Sequence, residues 1–274
     1  MGIFDFFKKG GSQSGSKPST SSYQQQTQQV QPTSPSKPTS SYDNGLKMRK
    51  EEAVEQLNLR KETLALTMRK KNMNNVFARV AVAMDDSGSM ESLYEKGTVQ
   101  SVLERLLPVA LKFDDNGELD MWLFANKFKR LPSITEEDFF DYVNREVMHR
   151  ASWGGTNYSP VINDIVRKYA KEEPSDIPTF VLFITDGENF DRNEAERAIR
   201  EASRYNIFFQ FIGLGNEDFR FLKELDEMEG RFIDNANFFE IRSINRISDD
   251  QLYDLLLTEY PIWEKEAKRV GLLR

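Results

Sequence analysis

Strand-length apolar runs recur along this chain with helical stretches between them, and that alternation restricts the fold more than any other property. The runs are VFARVAVAM at 76–84, LDMWLFA at 119–125, TFVLFIT at 179–185, IFFQFIGL at 207–214 and FFEIR at 238–242. Helical patterns fall at 97–113, 136–147, 159–172, 193–205, 218–228 and 249–270. Nearly continuous apolar strands separated by helices indicate a parallel sheet buried on both faces. The predicted class is therefore α/β, a doubly wound, mostly parallel sheet flanked by helices. The run 119–125 follows the turn DDNG at 114–117, so it is expected at an edge or antiparallel. Pro108 should kink or break the first of these helices, and Pro261 should begin a separate last one. The Phe-rich run at 207–211 is expected in the core.

The first 45 residues have another character. Residues 11–45 are rich in Ser, Gln, Thr and Pro, with too little to bury to offset the entropy of ordering, and read as a disordered linker. The linker tethers a short head at 1–10, MGIFDFFKKG. Ile3, Phe4, Phe6 and Phe7 ahead of Lys8 and Lys9 suggest weak docking of residues 1–9 on a membrane surface or a partner. The body of the chain is expected from residue 46 to 274. It opens with a helix-favouring run in which Val54, Leu57, Leu64 and Met68 share one side. Local alternation at 56–70 leaves a strand pair as the other reading.

Composition removes several classes of function. With no cysteine, disulfides, thiolate nucleophiles and Cys-bound zinc are excluded. The one histidine, His149, excludes any site needing two and reads as a solvated surface residue. A net charge of −7 argues against nucleic acid, whose phosphates need clustered Lys and Arg. No apolar run approaches the roughly 20 residues of a membrane helix, and the N-terminus does not read as a secretory signal. The expected location is the cytoplasm, with membrane-peripheral docking as the variant.

Three polar clusters lie at strand ends or in the loops beyond them. They are Met84-Asp85-Asp86-Ser87-Gly88-Ser89-Met90, Trp153-Gly154-Gly155-Thr156-Asn157-Tyr158 and Ile184-Thr185-Asp186-Gly187-Glu188. Ligands of open parallel sheets gather beyond the carboxyl ends of the strands. Two carboxylates and three hydroxyls make an all-oxygen set, suited to a hard cation, Mg²⁺ ahead of Ca²⁺ or Mn²⁺. The glycines would let the backbone bend closely around an ion. Asp86 and Glu188 are read as supporting or rim charges. Gly213-x-Gly215 lacks the third glycine of a dinucleotide fingerprint, and DDNG lacks the spacing of an EF-hand loop.

The order Asp85-x-Ser87-x-Ser89, then Thr156 after two glycines, then Asp186-Gly187, resembles the metal-ion-dependent adhesion site of von Willebrand factor A-type domains, which are Rossmann-like. The resemblance implies that Asp85, Ser87, Ser89, Thr156 and Asp186 hold the metal. It also implies that a protein partner offers an Asp or Glu to it. The pieces ERLLPVALKFDDNGELDMWLF, FVLFITDGE, IFFQFIGLG and FFEIRSINRISDDQLYDLLLTEYPIWEKEAKRVGLL resemble the A-type domain of bacterial tellurite-resistance and chemical-stress proteins, the Ter group, close to the copine type. That implies a non-catalytic binding module in a stress-response assembly. Two other functions remain open at this point. One is a metal-dependent hydrolase such as a phosphatase, against which stands the lack of a nucleophile with a base. The other is an adaptor subunit of an ATPase-coupled, chelatase-like machine.

Overall fold

The computed structural model describes residues 41–73, 76–113, 117–187 and 189–274. The head, the linker up to residue 40, Glu188 and residues 114–116 of the DDNG turn lie outside the described residues. Six strands form one sheet: β1 (Arg79–Asp85), β2 (Leu119–Phe124), β3 (Phe128–Ile134), β4 (Thr179–Thr185), β5 (Ile207–Leu214) and β6 (Ala236–Ile241). Among the described residues, eight α-helices accompany them: α1 (Ser41–Lys70), α2 (Glu91–Glu95), α3 (Thr98–Phe113), α4 (Ser159–Arg167), α5 (Arg192–Ala202), α6 (Arg220–Asp226), α7 (Asp249–Leu256) and α8 (Tyr260–Arg269). The strand order is β3-β2-β1-β4-β5-β6, and only β3 runs antiparallel. The doubly wound class expected from the alternation is thus the class observed. The chain builds outward from β1 to β3, then restarts at β4 on the other side of β1. The strand order therefore reverses between the carboxyl ends of β1 and β4.

Both faces of the sheet are covered, which is why its inner strands tolerate no polar alternation. Val80, Val82, Met84, Phe180, Leu182 and Ile184 pack with side chains of α1, α3, α7 and α8. Ala81, Ala83, Val181 and Phe183 pack with α4, α5 and α6. Among the described residues, no helix is long and apolar enough to cross a membrane.

Helix α1 settles the ambiguity at 56–70 in favour of the helix. Leu57, Leu64 and Met68 are buried, spaced by seven and four, while Val54 stays 37% exposed. Its first turn includes residues 41–45, which composition alone grouped with the linker. α1 also explains why α3 continues through Pro108 rather than breaking there. Proline cannot donate to the carbonyl four residues back. That carbonyl, of Glu104, accepts instead from Arg60 Nη1 of α1 at 3.4 Å.

Three other expectations need correction. β2 is interior, parallel to β1, and the edge belongs to β3. The strand FKRLPSI went unread because only Leu131 and Ile134 of it are buried, with Phe128 partly so; Lys129 and Arg130 keep the edge polar, and Pro132 lies where the register shifts. The helix expected at 136–147 is reduced to one wide turn at Val143–Val147. Asp141 takes φ 58°, and Gln100 of α3 replaces helical bonding by accepting from Val143 N at 2.9 Å. Pro261 does begin a separate helix, α8.

Helix α7 starts on a capping box. Ser248 Oγ accepts from Gln251 N at 3.2 Å, and Gln251 Oε1 accepts from Ser248 N at 3.0 Å. Ser248→Ala is expected to cost about 1 kcal/mol in a urea unfolding series. No change in midpoint would remove the box from the account.

Candidate functional site

The reversal of strand order brings two of the three polar clusters side by side. Asp85 ends β1 and Asp186 follows β4, and side-chain oxygens join them across the gap. Ser89 Oγ donates to Asp186 Oδ1 at 2.9 Å, and Ser87 Oγ lies 3.1 Å from Ser89 Oγ. Asp85 is fully buried: its Oδ1 accepts from Ser87 N at 2.8 Å and its Oδ2 from Thr185 Oγ1 at 2.6 Å.

Backbone contacts bring the second cluster to the first. Ser87 bridges Gly154 in parallel, with Gly88 N donating to Gly154 O at 2.9 Å. Asp86 is buried rather than on the rim, and its carboxylate accepts from Ser152 N at 2.5 Å. Trp153, at φ 49°, packs edge-on against Tyr94, whose hydroxyl donates to Asp85 O at 2.8 Å. Positive φ is uncommon in so bulky a residue and persists only where surrounding contacts enforce it. The second and third clusters meet through Thr156 O, which accepts from Phe190 N at 2.9 Å, and through Tyr158, whose hydroxyl donates to Gly187 O at 2.6 Å. Thr156 itself is buried. Asp191 then caps α4, accepting from Tyr158 N and Ser159 N.

The electrostatics are those of acids crowded out of water. Burial pushes the Asp85 carboxyl up from 3.8 to about 7, against the pull of Thr185 and Ser87, and the charge of Asp186 adds to the rise. Burial also raises Asp86 and Asp186, with Ser152 and Ser89 respectively opposing it. A cation among them would relieve all three. Among the described residues no three His, Cys, Asp or Glu side chains converge as a metal cluster. A cation here would thus rest on hydroxyl and water oxygens as much as on carboxylates, and this donor chemistry suits a hard ion.

Asp85, Ser87, Ser89, Thr156 and Asp186 all lie in these three joined loops, whereas Glu188 lies outside the described residues. Sequence reasoning did not single out Thr185, Tyr94, Asn126 or Asp191. Thr185 carried a signal, since a hydroxyl beside Asp186 at the end of an otherwise apolar strand calls for a partner. Two of the glycines also make room for neighbouring side chains. A Cβ on Gly154 would stand 2.5 Å from Asn126 Oδ1, and one on Gly155 2.8 Å from Phe190 Cε2. Their bareness makes room for those two side chains. Gly213 likewise admits the ring of Phe219, which a Cβ would meet at 2.7 Å. The lone histidine, His149, is exposed, as expected.

Residues 77–273 match the family described as vWA-TerF-like, the vWA domain found in the TerF C terminus. YcbR of Bacillus subtilis (strain 168), an uncharacterized protein, is 46% identical over 221 residues, covering 80% of this chain and 90% of that one. Nicotinic receptor-associated protein 1 of Caenorhabditis elegans is 38% identical over 76 residues, 27% of this chain and 12% of that one. Among solved structures, proximal thread matrix protein 1 from the mussel byssus, with a zinc-occupied MIDAS motif, aligns at a TM-score of 0.48 and 20% identity. The alignment covers 67% of this chain and 48% of that protein, so the chain spans about half its length.

Proposed function

Because the chain belongs to the TerF-like group of von Willebrand factor A-type domain proteins, we propose that it is a non-catalytic protein-binding module whose grip depends on a divalent cation. Asp85, Ser87, Ser89, Thr156 and Asp186 would hold the ion, Mg²⁺ ahead of Ca²⁺ or Mn²⁺. The observation that supports this most is the oxygen chain Ser87–Ser89–Asp186, which joins the ends of β1 and β4 at the point where strand order reverses.

Each residue has a part in keeping the site ready. Thr185 and the Ser87 N–H hold both oxygens of Asp85 in place. Asp86 fixes the loop that carries Thr156 by taking the Ser152 N–H. Tyr158 holds the Asp186 loop from below through Gly187 O. A bound Mg²⁺ supplies an open coordination position that a partner's Asp or Glu oxygen can fill. The assembly we propose is cytoplasmic and serves stress tolerance of the tellurite-resistance kind.

The test is capture on immobilised protein in Mg²⁺ and in EDTA. Partners retained only with Mg²⁺ support the reading; equal retention overturns the metal dependence. Loss of tellurite tolerance in cells carrying Asp85→Ala at normal protein level checks the finer claim of a stress role. Thr156→Ala removes one neutral hydroxyl, so unfolding in EDTA should move by no more than about 1 kcal/mol. The midpoint of a Mg²⁺ titration should weaken at least about tenfold, since even outer-sphere partners of metal ligands cost that much. An unchanged midpoint would take Thr156 out of the ligand set.

A further inference from the structure

One large apolar side chain stands at the border of the proposed metal position. Phe190 is 81% exposed, whereas the rings of Phe124, Tyr158 and Phe183 beneath the site are fully buried. A lone exposed Phe is ordinary on a protein surface. The placement of this one is not. Its N–H donates to the carbonyl of Thr156, the residue whose hydroxyl is proposed to face the ion. Its ring edge rests over Gly155, close enough that a Cβ there would lie 2.8 Å from Cε2 and 3.2 Å from Cδ2. Gly155 is held in turn by Asn126 Oδ1, which accepts its N–H at 2.8 Å. The ring is therefore positioned from below, with its outer face open to solvent.

The surroundings limit what could cover it. Successive residues of an extended segment advance about 3.3 Å each. A partner segment that places a carboxylate beside Thr156 therefore has Phe190 within reach of the neighbouring side chains. An apolar neighbour of the acid would meet the exposed ring.

We propose that Phe190 is the apolar half of a two-part receptor: the partner is a protein segment bearing a single Asp or Glu beside a large aliphatic or aromatic residue, the acid on the ion and the apolar side chain on Phe190. This rests on the carboxylate-binding reading above, and the test separates the two.

Two model peptides suffice, Ac-Gly-Gly-Asp-Gly-Gly-NH2 and Ac-Gly-Leu-Asp-Leu-Gly-NH2, titrated against the full chain in Mg²⁺ and in EDTA. Chemical-shift titration reaches the weak affinities such short ligands have. The leucine-flanked peptide should bind about tenfold tighter in Mg²⁺, the gain from covering one leucine side chain. In Phe190→Ala that advantage should vanish while the Mg²⁺ titration of the protein stays unchanged; Phe190→Leu should restore most of it. Equal affinity of the two peptides for the wild type, or an advantage that survives in Phe190→Ala, overturns the role of Phe190 and leaves the carboxylate reading standing. Leucine-flanked binding as strong in EDTA overturns the two-part receptor. Failure of both peptides to bind in Mg²⁺ overturns the carboxylate reading and this proposal with it.

Discussion

Asp85→Ala is expected to abolish Mg²⁺ binding in a calorimetric titration while the fold remains. The carboxylate is buried, and both of its oxygens are already aligned by Ser87 N and Thr185 Oγ1. The substitution leaves the Thr185 hydroxyl without that acceptor, at a cost of about 1 kcal/mol. It also removes a carboxylate that burial disfavours. The sign of the pH dependence follows from the raised value. Unfolded, Asp85 titrates near its ordinary 3.8; folded, at about 7. Between those values the folded state binds the extra proton, so stability falls as pH rises through that window and stays lowest above it. Asp86 and Asp186 shift in the same direction. Metal-free protein should therefore melt at progressively higher temperature as pH is lowered from about 8 to about 5. Saturating Mg²⁺ should flatten that profile by restoring stability at the alkaline end, and Asp85→Ala should reduce its slope without metal. A wild-type protein that binds Mg²⁺ no better than Asp85→Ala would defeat the assignment.

Phe183→Ala should cost about 3–5 kcal/mol, a large share of the roughly 5–15 kcal/mol by which domains are stable. Phe183 is the fully buried centre of a ring cluster beneath the site. Its centroid lies 4.6 Å from Phe124, 5.0 Å from Tyr158 and 4.9 Å from Phe211. These belong to β2, the loop before α4 and β5, so the cavity would open between three elements at once. It would also undermine Tyr158, whose hydroxyl holds Gly187 O and contacts Thr185 Oγ1. Mg²⁺ affinity should therefore fall along with stability, although Phe183 is not one of the proposed ligands. Phe183→Leu keeps most of the volume and should cost less than about 1.5 kcal/mol. Denaturant unfolding of both variants checks the cluster; a loss under about 1 kcal/mol for the alanine variant would mean that the rings repack freely.

What could be read from the sequence followed the range of each interaction. β4 and β5 fall at the residues expected because each is a dense apolar run buried on both faces. β3 escaped because it fully buries only Leu131 and Ile134, spaced by three, which marks no strand period. The three site clusters were legible because each is a contiguous run of unusual polarity. Their connections were not. The bond from Gly88 N to Gly154 O, the Asp86 grip on Ser152 N and the packing of Phe190 over Gly155 join residues far apart in the chain or single loop residues with no pattern of their own. The helix at 136–147 failed for the same reason, since Gln100, distant in sequence, takes the bond that would have propagated it.

The match to the family begins at residue 77, but the compact unit begins earlier, at Ser41. α1 supplies Leu57, Leu64 and Met68 to the core, and its Arg60 reaches the carbonyl that Pro108 leaves unserved. A fragment cut at Phe77 would carry every candidate ligand and still be an unfinished solid. Its bared strip on α3 and α7 would be self-adhesive, and the Glu104 carbonyl would lose its donor. Dimers or aggregates of such a fragment would report where the chain was cut, and a binding assay run on it would score that adhesive strip alongside the loops of interest.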